Sequence, residues 1–273
     1  MRAWTYTTRG PVNTVLHLTP THPTPTPDPA SADLLVKITH TSLTPSVARL
    51  MPLLPFHPIH PTPSIPELSF AGTIAAVTPQ TPSHLTPGLR VFGSIPVSAQ
   101  LARGAGTLAQ YVVARPQDVA AAPDNLSSAD AAGLDGNGQT ALQMCRNAGV
   151  GEGVRVFVNG GTGGVGTMVV QVAKAFGAEV VATGSGEEGR KLVEGLGADV
   201  VVDYRACGEG GVVGWLAERY GEGRKFDAVL DCVGTQVLFD RSPAFLKEDG
   251  LFAYERILSQ RAKGKVVIKV QDP

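Results

Sequence analysis

Gly161, Gly163 and Gly166 fall at the spacing G-x-G-x-x-G inside Val156-Phe157-Val158-Asn159-Gly160-Gly161-Thr162-Gly163-Gly164-Val165-Gly166. That spacing binds a dinucleotide pyrophosphate when a buried strand precedes it and a helix follows. Both are legible: an apolar strand leads into the glycines, and Thr167 to Phe176 reads as a helix. Each glycine has a physical job, namely a tight turn, close backbone approach to the phosphates, and close helix–strand packing. The helix start adds free N–H groups and the positive end of a dipole. Gly161, Thr162, Gly163, Gly164, Val165 and Gly166 are therefore the candidate pyrophosphate residues.

A second group of residues bears on which dinucleotide would bind. Strand Glu179–Thr183 runs into Gly184-Ser185-Gly186, where a site for NAD usually places an acid against the ribose 2′-hydroxyl. No acid stands there, while Ser185, Arg190, Lys191, Tyr204 and Arg205 lie nearby in sequence. An uncharged tip with hydroxyl and basic groups accepts a 2′-phosphate, which favours NADPH. Taken singly, Arg190 and Lys191 also read as a solvated helix face. Asp231-Cys232-Val233-Gly234 closes another strand, so Cys232 and Val233 face the expected cofactor edge or belong to an ordinary strand-to-helix turn.

The elements that must position these residues come in two textures. Of the 21 prolines, 17 precede residue 100, which excludes long helices from that region. Between them lie short strands at Leu34 to Thr39, Gly72 to Val77, Arg90 to Phe92 and Ala109 to Ala114, the pattern of a compact β-rich domain. Beyond Pro123 strands and helices alternate. Expected helices run from Ser127 or Ser128 through Ala132, Gly138 to Ala148, Glu187 to Gly195, Val212 to Tyr220 and Gln236 to Leu246; expected strands are Arg155 to Asn159, Asp199 to Tyr204 and Phe226 to Asp231. Regular alternation implies parallel strands joined by right-handed crossovers, an α/β doubly wound sheet. A helix from Glu255 to Ala262 and a closing strand from Lys265 to Val270 end the pattern.

Composition narrows the function classes. A net charge of −1 carries no polyanion footprint, so no nucleic-acid partner is expected. No apolar run reaches the ~18 residues of a membrane helix, and Met1-Arg2-Ala3-Trp4-Thr5-Tyr6 lacks the apolar core of a signal peptide. Cys145, Cys207 and Cys232 are odd in number and far apart, which points to a reducing compartment, by default the cytoplasm. His57 and His60 have metal-ligand spacing but sit among Pro55, Pro58 and Pro61 with no further ligands apparent, and read as a solvated loop.

Several blocks give the chain a family likeness. They are Ile65-Pro66-Glu67-Leu68-Ser69-Phe70-Ala71-Gly72, Gly88-Leu89-Arg90-Val91-Phe92-Gly93, Gly106-Thr107-Leu108-Ala109-Gln110-Tyr111-Val112-Val113, Ala131-Ala132-Gly133 with Gly138-Gln139-Thr140-Ala141-Leu142, the glycine turn, and Leu196-Gly197-Ala198-Asp199. In order and spacing the chain resembles, over nearly its whole length, the zinc-independent medium-chain dehydrogenases/reductases of the quinone oxidoreductase and enoyl reductase type. The resemblance implies a GroES-like substrate domain over residues 1–123 and a Rossmann dinucleotide-binding domain over 124–255. A terminal helix and strand over 256–273 would return to the first domain. It also implies Thr140 near the nicotinamide and a small-molecule substrate in a cleft. No cysteine precedes Cys145, so the zinc site of the metal-dependent branch cannot be built and no zinc is expected. Thr44-Pro45-Ser46-Val47, Ser69 and Leu89 replace longer polar residues common among such proteins. After Leu251-Phe252-Ala253-Tyr254, which matches the fifth Rossmann strand, the chain passes straight to the terminal segment. A sixth strand and its helices are missing, so the Rossmann sheet is truncated and the usual dimer edge absent. That leaves a monomer or an atypical dimer.

Three functions compete. The first is an NADPH-dependent reductase of a quinone, enone or polyketide-like alkene; Thr44 and Tyr111 are the candidate proton donors, although Tyr111 also reads as core. The second is a non-redox cyclase, isomerase or lyase of natural-product chemistry on the same scaffold, motivated by the shortened nicotinamide wall. The third is a protein that binds the dinucleotide without turnover.

Overall fold

A computed structural model describes residues 1–52, 63–254, 266–269 and 271. The terminal helix expected at Glu255 to Ala262, and the pair His57 and His60, lie outside the described residues. The chain divides into two units, Met1–Gly136 with Lys265–Pro273, and Asn137–Gly264.

The first unit is antiparallel. Strands β1 (Ala3–Thr5) and β2 (His17–Thr19) form a hairpin across helix α1 (Val12–Val15). The main sheet is built on β3 (Leu34–Leu43), followed by helix α2 (Pro45–Leu50), β4 (Ser69–Val77), β5 (Arg90–Ser94), helix α3 (Val97–Arg103), β6 (Tyr111–Ala114) and β7 (Val119–Ala121). Alternate residues Leu34, Val36 and Ile38 are fully buried beside Phe70, Ile74 and Val91, so the period of two fixes the register of β3 against β4.

Helix α4 (Ser128–Asn147) starts in the first unit and ends in the second. The sequence predicts two helices here, broken around Gly133 to Gly138. Interior glycines cost about 1 kcal/mol each, but Ala131, Ala132, Ala141, Met144 and Cys145 bury along the same helix and outweigh that cost.

The second unit is the expected parallel sheet. Its elements are β8 (Arg155–Asn159), α5 (Gly164–Ala175), β9 (Glu179–Thr183), α6 (Gly186–Gly195), β10 (Val200–Val202), α7 (Gly211–Arg219), β11 (Phe226–Asp231), α8 (Gln236–Arg241) and β12 (Leu246–Tyr254). The strand order β10-β9-β8-β11-β12 is doubly wound, with every pair parallel. Phe157, Phe226 and Tyr220 stack at centroid distances of 5.7 and 4.5 Å on one face, and valines of α5 cover the other. One detail differs from the sequence reading. Helix α8 stops at Arg241 and yields to a short 3₁₀ turn, because Pro243 cannot continue it. Lys247-Glu248-Asp249-Gly250 forms an excursion within β12, whose pairing jumps from Leu246 to Leu251 opposite Phe226 and Ala228. The last strand, β13 (Val266–Lys269), pairs antiparallel with β3, as expected for a closing strand.

Two carboxylates tie this sheet together. Asp199 accepts the Val180 N–H at 2.7 Å and the Lys174 ammonium at 2.8 and 2.9 Å. Asp227 accepts the Arg155 N–H at 2.8 Å and pairs with Lys247. Partial burial pushes both carboxyls up, yet these donors outweigh it and hold each below its ordinary value of 3.8. A depressed folded value means stability that is present above about pH 4 and lost as the pH falls through that lower value. Melting temperature is therefore expected to fall as the pH drops below about 4, and Asp199→Asn to shallow that slope in thermal denaturation followed into acid.

Candidate functional site

The site begins where β8 ends. Gly160 takes a left-handed φ of +83°, and a side chain there would stand 2.7 Å from Val233 Cγ2. The tight turn expected at Gly161 therefore sits one residue earlier, while Gly161 itself allows close packing on Thr183, whose carbonyl would lie 2.7 Å from a Cβ. At Gly166 a Cβ would come within 2.0 Å of the Gly160 carbonyl oxygen, a backbone contact that cannot yield. That approach locks α5 onto the turn. Gly163 meets only the Gly160 oxygen at 3.2 Å, which leaves its other side open. The N–H groups of Gly164, Val165 and Gly166 find no acceptor among the described residues, as the first turn of a helix dictates. They form an anion cradle.

A polar network fixes this turn to the neighbouring strand ends. The Gly160 N–H donates to Thr183 Oγ1 at 2.7 Å, and the Thr183 hydroxyl lies 3.4 Å from Asn159 Oδ1. Asn159 Nδ2 donates to Asp231 at 2.9 Å. Asp231 is fully buried and also accepts the N–H groups of Val233, Gly234 and Thr235 at 2.9, 3.0 and 3.2 Å. One carboxylate thus holds the Cys232-Val233-Gly234 bend against β8, and through Thr183 the network reaches β9. Cys232 is buried and donates its N–H to the Asn159 carbonyl at 3.0 Å, whereas Val233 is 44% exposed beside Gly160. In sequence Asp231 reads only as a strand end; the available signal is an acid before C-V-G together with an asparagine at the end of β8.

The far side of the turn departs from expectation in its charges. Ser185 caps α6 by position but makes no side-chain cap bond. Asp203, just beyond β10, accepts the Gly186 N–H and the Arg205 N–H at 3.0 Å each, so its oxygens are spent on the backbone of the loop. Strand order explains why this was missed: Val202 lies opposite Thr183, so the next residues meet only in the folded sheet. Arg190 is engaged by Glu194 at 2.6 Å and Lys191 by Glu187 at 2.6 Å, the solvated helix face. The Arg205 guanidinium lies over the exposed Tyr204 ring, 5.8 Å from its centroid. Gly161 to Gly166, Ser185, Tyr204, Cys232 and Val233 all belong to the carboxyl ends of this parallel sheet, the edge at which such sheets bind ligands.

The remaining candidates are placed differently. Thr140 lies half-buried on α4. Tyr111 stands opposite Lys37 on β3 and is half-buried, out of phase with Val112 and Ala114, which enter the core. Thr44 follows the last residue of β3, seven residues from Lys37, roughly 20 Å of strand. The structure does not bring the two candidate donors together. Among the described residues no group of three His, Cys, Asp or Glu side chains is arranged to hold a metal. The first unit carries no cysteine.

A β-rich unit joined to a doubly wound sheet with a glycine turn defines a dinucleotide-dependent oxidoreductase scaffold. Residues 30–124 match the alcohol dehydrogenase GroES-like domain, and residues 164–262 match the zinc-binding dehydrogenase domain. The chain belongs to the medium-chain dehydrogenase/reductase family of oxidoreductases. It is 35% identical to a medium chain reductase from an Acremonium species, covering 90% of this chain and 72% of that protein. It is 31% identical to a trans-enoyl reductase from Penicillium oxalicum, covering 92% and 73%. A mycobacterial protein solved in complex with NADPH superposes with a TM-score of 0.73 at 28% identity, covering 94% of this chain and 74% of that one. No helix among the described residues is long and apolar enough to cross a membrane.

Proposed function

We propose that this protein is an NADPH-dependent reductase of an activated alkene, an enone or a polyketide-like enoyl group, with quinones as a second class of acceptor. The observation that carries the reading is the cradle of three N–H groups at Gly164, Val165 and Gly166, held by the approach of Gly166 to Gly160. The likeness to a trans-enoyl reductase and to an NADPH complex supports it. In this reading Gly161 to Gly166 hold the pyrophosphate, Cys232 and Val233 border it, and Thr140 lies near the nicotinamide. Ser185, Tyr204 and Arg205 take the 2′-phosphate. Arg190, paired with Glu194 on the exposed face of α6, is the second candidate cation beside Arg205. NADPH supplies the hydride when bound. The chain's own residues orient the reactants, exclude water and polarise the acceptor oxygen. Thr44 or Tyr111 would donate that hydrogen bond from the substrate domain proposed over residues 1–123.

A non-redox reading has one observation in its favour: among the described residues the parallel sheet ends at β12, paired on one side only. Titration with NADPH and NADH, then oxidation followed at the nicotinamide absorbance with enones, enoyl thioesters and quinones, separates the readings. Binding with turnover supports the reductase; binding that no acceptor discharges favours a protein that holds the dinucleotide without turnover or a non-redox enzyme. Absence of any binding overturns the proposal. Arg205→Ala is expected to weaken NADPH about 10-fold and NADH by less than about 2-fold, the loss of one charge-assisted phosphate contact.

A further inference from the structure

Glu67 is the one non-glycine residue with a left-handed backbone among the described residues, at φ +67°. It is also a charged side chain that is only 5% exposed. Each feature costs stability, and both persist only where the surroundings over-determine them. The surroundings of Glu67 do so. The Thr107 N–H is shared between the carbonyls of Pro66 at 3.2 Å and Glu67 at 3.0 Å. Leu108 donates to the Pro66 carbonyl at 3.1 Å, and Ile65 to the Gly104 carbonyl at 2.8 Å. The backbone of residues 65–67 is thereby stitched to the segment 104–108, and β4 begins at Ser69.

That fixed backbone delivers a carboxylate oxygen to the Thr44 N–H at 2.9 Å. Thr44 is the corner where β3 stops and α2 starts. β13 pairs with β3 as far as Leu43, so Thr44 is the first residue beyond that pairing. Pro45 has no N–H to give, and the Thr44 hydroxyl makes no cap bond to the helix. Selection for stability alone would place glycine at φ +67°. A glutamate there points to a task for its side chain.

We propose that Glu67 is a positioning residue whose carboxylate anchors the β3–α2 corner and so sets where Thr44 presents its hydroxyl to the alkene. The proposal deepens the reductase reading and rests on its assignment of Thr44. Glu67→Gly releases the backbone strain and removes the carboxylate; Glu67→Gln keeps an acceptor oxygen. For Glu67→Gly the melting temperature is expected within about 2 °C of wild type or above it. Hydrogen exchange at the Thr44 amide should accelerate at least about 10-fold, with KM for the alkene rising about 10-fold and the NADPH Kd unchanged. Glu67→Gln should return both exchange and KM to within about 3-fold of wild type. A Thr44 amide still protected in Glu67→Gly, an unchanged KM, or a protein that melts far below wild type overturns the proposal. If the wild-type enzyme discharges NADPH to no acceptor, the reductase reading fails, while Thr44 exchange still decides whether Glu67 is the anchor.

Discussion

Gly166→Ala is expected to weaken NADPH binding by at least about 100-fold, equivalent to ~3 kcal/mol. The added methyl carbon would lie 2.0 Å from the Gly160 carbonyl oxygen and 3.0 Å from Gly161 Cα, so the start of α5 must move away from β8. Overpacking of this kind costs about 1–3 kcal/mol of stability. Its larger effect is on geometry, because the three N–H groups that form the cradle all ride on the displaced turn. Gly195→Ala is the matched control. Its Cβ would meet nothing within 4 Å, and Gly195 is helical at the end of α6. That substitution should raise stability by about 0.5–1 kcal/mol and leave the NADPH Kd unchanged. Calorimetric titration of the two variants checks the contrast. A Gly166→Ala protein that binds NADPH like wild type would remove the basis for placing the pyrophosphate at this turn.

Asp231→Ala carries the second large effect. It strips the acceptor from three backbone N–H groups and from Asn159 Nδ2 at a fully buried position. Leaving buried donors without partners costs about 1–3 kcal/mol each, less than additively within one network. A total of about 3–5 kcal/mol translates to roughly 10 °C in melting temperature for a chain of this size. Asp231→Asn should lose less, because its oxygen still accepts the Val233 and Gly234 N–H groups while its amide opposes the Thr235 N–H. NADPH affinity should fall with stability in both variants, since Asn159 links the Asp231 bend to the Gly160 turn through Thr183. Thermal melting with and without saturating NADPH measures both effects.

The sequence was most legible where local pattern and tertiary demand agree. The glycine turn, the alternation from Arg155 onward and the closing strand at Val266–Lys269 needed only periodicity and glycine chemistry. It was least legible where neighbours come from distant segments. Asp203 caps α6 only because β10 lies beside β9, and nothing in the run Val200-Val201-Val202-Asp203 signals that partner. Gly133, Gly136 and Gly138 looked like a helix break because local propensity was the only information available; the buried alanines on the same helix decide otherwise. The separation of Thr44 from Tyr111 follows from strand register, which composition does not encode. Glu67 drew no notice as a residue in its own right, because its backbone angle, not its type or spacing, marks it.

The pairing of β13 with β3 has a consequence in time. During synthesis, β3, β4 and β5 leave the ribosome well before residues 266–269, which supply the last strand of their sheet. At ~5–20 residues per second the intervening chain takes about 10 s or more to appear. For that interval the β3 edge from His40 to Leu43 offers bare N–H and C=O groups, while the parallel sheet between them is free to form first. The parallel sheet, whose last strand ends at Tyr254, is thus fully synthesised before the antiparallel sheet receives its final strand.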